Sequence, residues 1–311
     1  MLETEDRIIS RNLSYGINFP FNDFSSQKLY VWIDALMGYI TAGKKFCQDN
    51  NINWESFYKE SPDLKTYFVH GKDNIPFHSL MYPAILLSLD DDYHLPDYFV
   101  SSDYLFVNNE KISKTKGNGV MAKDLIDKYD TDSIRFYMAC KSPETEISHF
   151  TFSDFEDCHN KYLVKSYSYF VNQISDVLLK DLNSFIYYNN CNEQIEIRIK
   201  KTYQETGELI EKGEIRSAIH KIKDLITFSS DFFKSISSWI STDYDLEVIK
   251  ETQYTCIILL INLANMLDPF IPESSQKILS AFGVKDLKWE YIKVKEFKLP
   301  KELPVLFKAI L

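Results

Sequence analysis

Thr66-Tyr67-Phe68-Val69-His70-Gly71-Lys72-Asp73-Asn74-Ile75-Pro76-Phe77-His78 is the stretch whose reading decides the fold of the first half of the chain. An aromatic and β-branched run stops at a glycine, and an apolar segment of helix length, Phe77 to Leu89, follows at once. That order predicts a strand, a tight turn and a helix. Working outward, Leu29-Tyr30-Val31-Trp32-Ile33 and Tyr98-Phe99-Val100, the latter followed by Ser101-Ser102, read as two further short strands. Strands alternating with helix-length segments over residues 1–150 predict α/β layers with a mostly parallel sheet.

Past about Asp154 the period changes. Ile215, Ile219, Ile222, Ile226, Phe233, Ile236 and Ile240 keep to one face at helical spacing. Gly207 and Gly213 punctuate the approach to that helix. Tyr254 to Leu267 is a further run, stopped by Asp268-Pro269, and Pro272 and Gly283 are placed to open and close the next helix. Residues 151–290 therefore read as a helical bundle. The lysine-rich end has no clear pattern, and residues 291–311 are expected to pack back on the core. The fold class expected is α/β plus all-α: a partial Rossmann-type parallel sheet followed by a helical bundle.

The 311 residues are 45% apolar and 15% aromatic, enough to bury sizeable cores. A net charge of −10 excludes nucleic-acid binding through overall charge, so any RNA contact must be local. Five cysteines, Cys47, Cys140, Cys158, Cys191 and Cys256, form no C-x-x-C pair. No zinc site is expected, and dispersed thiols suit a reducing compartment. Without an apolar run of about 18 residues or an apolar leader in MLETEDRIIS, no membrane span and a cytoplasmic location are expected.

The densest chemistry lies in Lys111-Ile112-Ser113-Lys114-Thr115-Lys116-Gly117-Asn118-Gly119. Lysines are point charges suited to phosphates, and glycines let a loop take unusual backbone angles. A polyphosphate clamp and a solvated basic turn both fit those residues. KISKTKGNG resembles the KMSKS signature of class I aminoacyl-tRNA synthetases, with Ile112 in place of Met and Thr115 in place of the last Ser. The resemblance implies that Lys111 and Lys114 stabilise charge on the departing pyrophosphate, favouring the transition state over the ground state.

Upstream, Gly71-Lys72-Asp73-Asn74-Ile75-Pro76-Phe77-His78 is similar to the G-K-D-x-x-x-F-H segment of methionyl-tRNA synthetases. It implies that Gly71 and Asp73 approach the ATP ribose, whose diol a carboxylate can bind, and that Ile75 and His78 line a methionine pocket. Val31-Trp32-Ile33-Asp34-Ala35-Leu36-Met37-Gly38-Tyr39-Ile40 resembles the pocket-wall motif V-W-x-D-A-x-x-x-Y-I. It places Trp32, Ala35 and Tyr39 there, where aromatic walls suit a polarisable thioether. Tyr82, one turn after His78, falls on another aromatic pocket position. Arg11, in Ser10-Arg11-Asn12-Leu13-Ser14-Tyr15-Gly16-Ile17, matches an arginine near the ATP site. The bland alternatives are a helix cap for Asp73, a half-buried helix residue for His78 and a core residue for Trp32.

The family resemblance runs from about residue 8 to Leu311 and implies ATP with magnesium, methionine and tRNA(Met) as substrates and partners. Two departures qualify it. The histidines at 70, 78, 94, 149, 159 and 220 contain no pair three residues apart, so the family's H-I-G-H signature is absent. An N-terminal half is expected to be supplied separately, docking on an exposed sheet edge, and the chain alone is expected to be poorly active or inactive. In the helical part, Asn172 and Trp239 match anticodon-contacting positions, but Asp176 stands where an arginine is common and Ser238 replaces a proline. Trp239 lies on an apolar helix face, where a core role competes with base stacking. The reading is a methionyl-tRNA synthetase or its C-terminal part. Its alternative is an inactive paralogue that binds tRNA or protein.

Overall fold

The computed structural model describes residues 8–59, 61–89, 91–112, 115, 117–178, 185–186, 190–237, 246–285, 287–294, 297–298 and 300–310. The chain divides into two compact units, residues 1–102 and 103–311.

In the first unit, β1 (Ser10–Arg11) runs antiparallel to β2 (Lys28–Leu29). Helix α1 (Val31–Asp49) and a short α2 (Glu55–Tyr58) follow. β3 (Tyr67–Gly71) pairs in parallel with β4 (Tyr98–Ser102), in register from Tyr67↔Tyr98 to Gly71↔Ser102. Between these strands a wide helical turn, Phe77–Met81, runs directly into α3 (Tyr82–Ser88). Leu36, Ile40, Phe77, Tyr82 and Leu86 form the buried core of this unit.

One expected strand is a helix. β2 ends at Leu29, Tyr30 is extended with ψ 126° and caps the helix start, and α1 begins at Val31. The β-branched residues Val31 and Ile33 cost only a few tenths of a kcal/mol each in a helix. Burial of Leu36, Ile40 and Cys47 at helical spacing outweighs that cost. Trp32 therefore stands on a helix and not on a strand.

In the second unit, β5 (Leu105–Val107) lies between antiparallel β6 (Glu110–Lys111) and parallel β7 (Ser148–Phe150). Asn108 and Asn109, at φ 50° and 66°, make the β5–β6 turn. Two left-handed residues match the natural twist of a tight hairpin, and asparagine tolerates that conformation. Helices α4 (Ala122–Ile126), α5 (Thr131–Cys140) and α6 (Phe152–Cys158) come next. The chain continues as a wide-turn helix, His159–Ser168, then α7 (Tyr169–Gln173) and a further turn, Ile174–Leu178. The bundle is completed by α8 (Glu193–Glu211), α9 (Ile215–Ser237), α10 (Leu246–Leu267) and α11 (Pro272–Ala281). β8 (Phe185–Ile186) pairs antiparallel with β9 (Phe297–Lys298).

The α/β plus all-α reading holds. On α9, Ile219, Ile222, Ile226, Phe233 and Ile236 are all in the core, while Ile240 lies outside the described residues. Gly213, at φ 78°, ends the preceding helix as a glycine in the left-handed region should. Gly207 sits inside α8, where a Cβ would come within 2.7 Å of the Trp289 indole nitrogen. That nitrogen donates to Tyr203 O at 3.0 Å, so the missing side chain admits the Trp289 ring. Residues 103–150 belong by contact with the helices, because Phe136 and Cys140 of α5 share their hydrophobic core. Residues 300–310 lie against the helices too. His159 Nε2 donates to Lys308 O at 2.8 Å, and Asn160 both donates to Ile310 O and accepts from Ile310 N.

Candidate functional site

The aromatic group of the first unit is assembled by two helical segments at the carboxyl end of β3, where open α/β sheets place ligands. Trp32 and Tyr39 come from α1, and His78 and Tyr82 from the segment after the Gly71 turn. Their contacts interlock. Trp32 stacks on Phe77 with centroids 4.7 Å apart. Tyr39 meets Tyr82 edge-on at 6.1 Å and Phe68 at 5.3 Å.

His78 is the hub. It is 4% exposed. Its Nδ1 lies 2.9 Å from Asn74 O and its Nε2 lies 2.8 Å from Tyr39 Oη. A carbonyl can only accept, so Nδ1 carries the proton of the neutral ring and Nε2 accepts from the Tyr39 hydroxyl. The imidazole orientation is thereby fixed from both sides. Burial of Tyr82, 4% exposed, pushes its phenol up to about 12, so it stays a neutral donor at ordinary pH.

Ala35 and Ile75 are exposed on the same two segments. Gly71 ends β3, and a Cβ there would meet no atom within 4 Å, leaving room above the strand. Asp73, exposed, follows in the turn Lys72–Asn74. Arg11, at the end of β1, lays its guanidinium over the Tyr30 ring at 4.7 Å.

Three neighbours of this group were not among the expected site residues. Phe68, Phe77 and His70 all touch it, and His70 stacks on His78 with centroids 4.7 Å apart and 14° between planes. The strand alternation held the signal for two of them, since Phe68 and His70 are two residues apart and so share a face of β3. His70 Nε2 is buried and has no hydrogen-bond partner among the described residues.

In the second unit, Lys111 ends β6, and its ammonium lies over the Tyr104 ring at 4.1 Å. Asn118 closes the loop by donating to Lys111 O at 3.1 Å. Gly117 has φ 63°, a conformation costly for other residues, and a Cβ on Gly119 would press on Ile112 at 3.2 Å. Lys114 lies outside the described residues, as does Trp239. Asn172 and Asp176 are both exposed, four residues apart along one helical stretch. No group of three His, Cys, Asp or Glu side chains placed to hold a metal occurs among the described residues. No described helix is long and apolar enough to cross a membrane.

The family model described as tRNA synthetases class I (M) matches residues 1–175, more than half of the chain. The chain belongs to that family. A second model, the anticodon binding domain of methionyl tRNA ligase, matches residues 187–302. Among curated relatives of this synthetase family, Methionine--tRNA ligase 1 of Alkaliphilus oremlandii is 34% identical over 306 residues, 98% of this chain and 56% of its own length. Methionine--tRNA ligase of Streptococcus pneumoniae is 36% identical over 305 residues, 98% of this chain and 55% of its own. The chain thus spans little more than half the length of these relatives. In fold it is similar to Mycobacterium tuberculosis methionyl-tRNA synthetase in complex with methionyl-adenylate, with TM-score 0.76 and 20% identity over 98% of this chain and 60% of that one.

Proposed function

We propose that this chain supplies the C-terminal part of a methionyl-tRNA synthetase, which joins ATP and methionine into methionyl adenylate and passes the methionyl group to tRNA(Met). The observation that carries the reading is the Trp32, Tyr39, His78 and Tyr82 group, locked by ring contacts and by the Tyr39–His78 hydrogen bond at the carboxyl end of β3. Aromatic rings suit an unbranched thioether, whose sulfur is polarisable. Ala35 and Ile75 would line its rim. Gly71 and Asp73 would hold the ribose, Lys111 and Lys114 the phosphates, and Arg11 would stand near the ATP. The helical part would meet the tRNA, with Asn172 and Trp239 at the anticodon. The setting would be the cytoplasm.

A further α/β segment bearing the H-I-G-H signature is required for the reaction, because adenylate formation needs donors on both sides of the phosphates. Parallel strands are normally covered on both faces. On β3, Phe68 and His70 are covered by the aromatic group, while Val69, on the other face, is 73% exposed. The further segment would dock along the sheet edge beside that open face.

Methionine-dependent ATP–pyrophosphate exchange tests the proposal, run with this chain alone and then with the segment added. Exchange is expected in the second case, lost in the Lys114→Ala variant. Exchange by the chain alone overturns the need for the segment. Absence of exchange in both cases overturns the synthetase reading. Asp176, an exposed carboxylate that repels phosphate four residues from Asn172, favours a second reading in that event: an inactive relative that binds protein or tRNA.

A further inference from the structure

We propose that a cavity in the second unit, walled by the start of α5, His159 and residues 305–310, is a binding site for a small primary alkylammonium ion. The cavity holds about 480 Å³. Two of the side chains that line it are polar, buried and incompletely bonded. Ser133 is 1% exposed and His159 3%. Ser133 Oγ and His159 Nδ1 have no hydrogen-bond partner among the described residues. The unpartnered hydroxyls of Thr206, Ser230 and Ser275 do not line this cavity.

A helical serine can return its hydroxyl to the carbonyl four residues back, as Ser229 does to Leu225 O at 2.6 Å. Ser133, on the first turn of α5, makes no such bond. His159 Nε2 donates to Lys308 O at 2.8 Å, so in the neutral ring Nδ1 is a bare acceptor. The Phe307 ring stands edge-on to the imidazole at 5.8 Å and braces its plane. Burial holds the imidazole below its ordinary value, which keeps Nδ1 an acceptor near neutral pH. A buried acceptor left without a donor is costly, so the site gains from any ligand that brings one.

Asp130 is the third polar group of the wall. Its Oδ1 caps α5 by accepting from Asp132 N at 2.9 Å, and its Oδ2 has no hydrogen-bond partner among the described residues. Imidazole nitrogen, hydroxyl and carboxylate are three acceptors around one cavity. A primary ammonium brings three N–H donors and a charge opposite to the carboxylate. Val305, Leu306, Phe307 and Ile310 supply an apolar wall that suits an alkyl stem. Lys128 and Lys308 also line the cavity and are exposed, so they repel a second positive charge. That selects a monoamine over a polyamine.

The full chain, labelled with nitrogen-15 at histidine, is titrated with n-butylammonium chloride near neutral pH at constant ionic strength, with affinity read by calorimetry. Saturable one-to-one binding is expected. The His159 Nδ1 resonance should move as it gains a donor, while Nε2 keeps its proton. Butyrate and n-butyltrimethylammonium, which carry no N–H donors, should not bind, and spermidine should bind more weakly. Asp130→Asn keeps a helix cap and removes the charge, and Ser133→Ala removes one acceptor. Each should weaken binding by about tenfold or more. The wild-type titration needs no variant to fold. Absence of a saturable shift at His159 Nδ1 overturns the proposal, as does a crystal soaked in the amine that shows only water between Ser133 and His159. Butyrate binding as well as the amine, or unchanged affinity in Asp130→Asn, overturns it too.

Discussion

Changing Tyr39 to Phe deletes one oxygen and keeps the ring, so it isolates the bond that orients His78. Tyr39 Oη lies 2.8 Å from His78 Nε2. Its loss leaves that nitrogen without a donor in a side chain that is 4% exposed. An unpaired buried acceptor costs about 1–3 kcal/mol. Tyr39 is itself 44% exposed, so water can reach part of the vacated space. The cost should fall near the lower end, at about 1 kcal/mol. The edge contact with Phe68 and the Tyr58 hydroxyl's bond to Tyr39 O are both retained, which confines the change to one interaction. A double-mutant cycle with His78→Leu, followed by urea unfolding, is expected to give a coupling of about 1 kcal/mol. A coupling within about 0.3 kcal/mol of zero refutes the reasoning. The tautomer gives a second reading. Nitrogen-15 spectra should show the proton of the neutral His78 ring on Nδ1 in both proteins, since Asn74 O is untouched. A proton on Nε2 in the wild type contradicts the assignment outright.

Asp132, 1% exposed, accepts from Ser274 N at 2.7 Å and from Glu273 N at 3.4 Å, capping α11 from another helix. Asp132→Ala should destabilise by about 2 kcal/mol in urea unfolding, and Asp132→Asn by less; equal losses would exclude the cap. Gly43→Ala should also destabilise, by about 1–3 kcal/mol, although alanine favours helix. Its Cβ would lie 2.0 Å from the Tyr58 hydroxyl, and a melting temperature that rises counts against the packing described. Burial holds the His159 imidazole below its ordinary 6.5, although the Lys308 carbonyl opposes the shift. A depressed folded value means stability that is full above pH 6.5 and lost as pH falls through the folded value. Thermal melts between pH 7.5 and 5.5 should show a shallower decline in His159→Gln than in wild type, and identical slopes would refute the linkage.

The parts of the fold legible in the sequence were those with a local period. Alternation gave β3 and β4, and the isoleucine spacing gave the buried face of α9, because each signal lies within one element. Trp32 was misread because Val31-Trp32-Ile33 has strand composition, while the residues that make it helical, Leu36 and Ile40, gain their burial from the segment around Phe77 and Tyr82. The candidate site was legible as motifs but not as geometry. Nothing local reveals that Tyr39 and His78, 39 residues apart, share a proton donor and acceptor. Gly207 reads as a break until Trp289 is placed on it.

The two halves of the proposed chemistry rest on scaffolds of different character. The aromatic group is over-determined: each ring is held by at least one other ring, and His78 by hydrogen bonds at both nitrogens. Such an array costs little entropy to organise when a ligand arrives, so it suits the discrimination of one side chain from another. Lys111 is held differently. It ends a two-residue strand, with its ammonium resting on Tyr104 and its carbonyl bonded to Asn118, which follows Gly117 at φ 63°. A cation resting on a ring is worth about 0.5–1 kcal/mol at an exposed site, so a triphosphate can outbid the ring for it. Recognition of methionine would then belong to the rigid part. Stabilisation of the transition state would belong to the part that can move as charge builds on the leaving group.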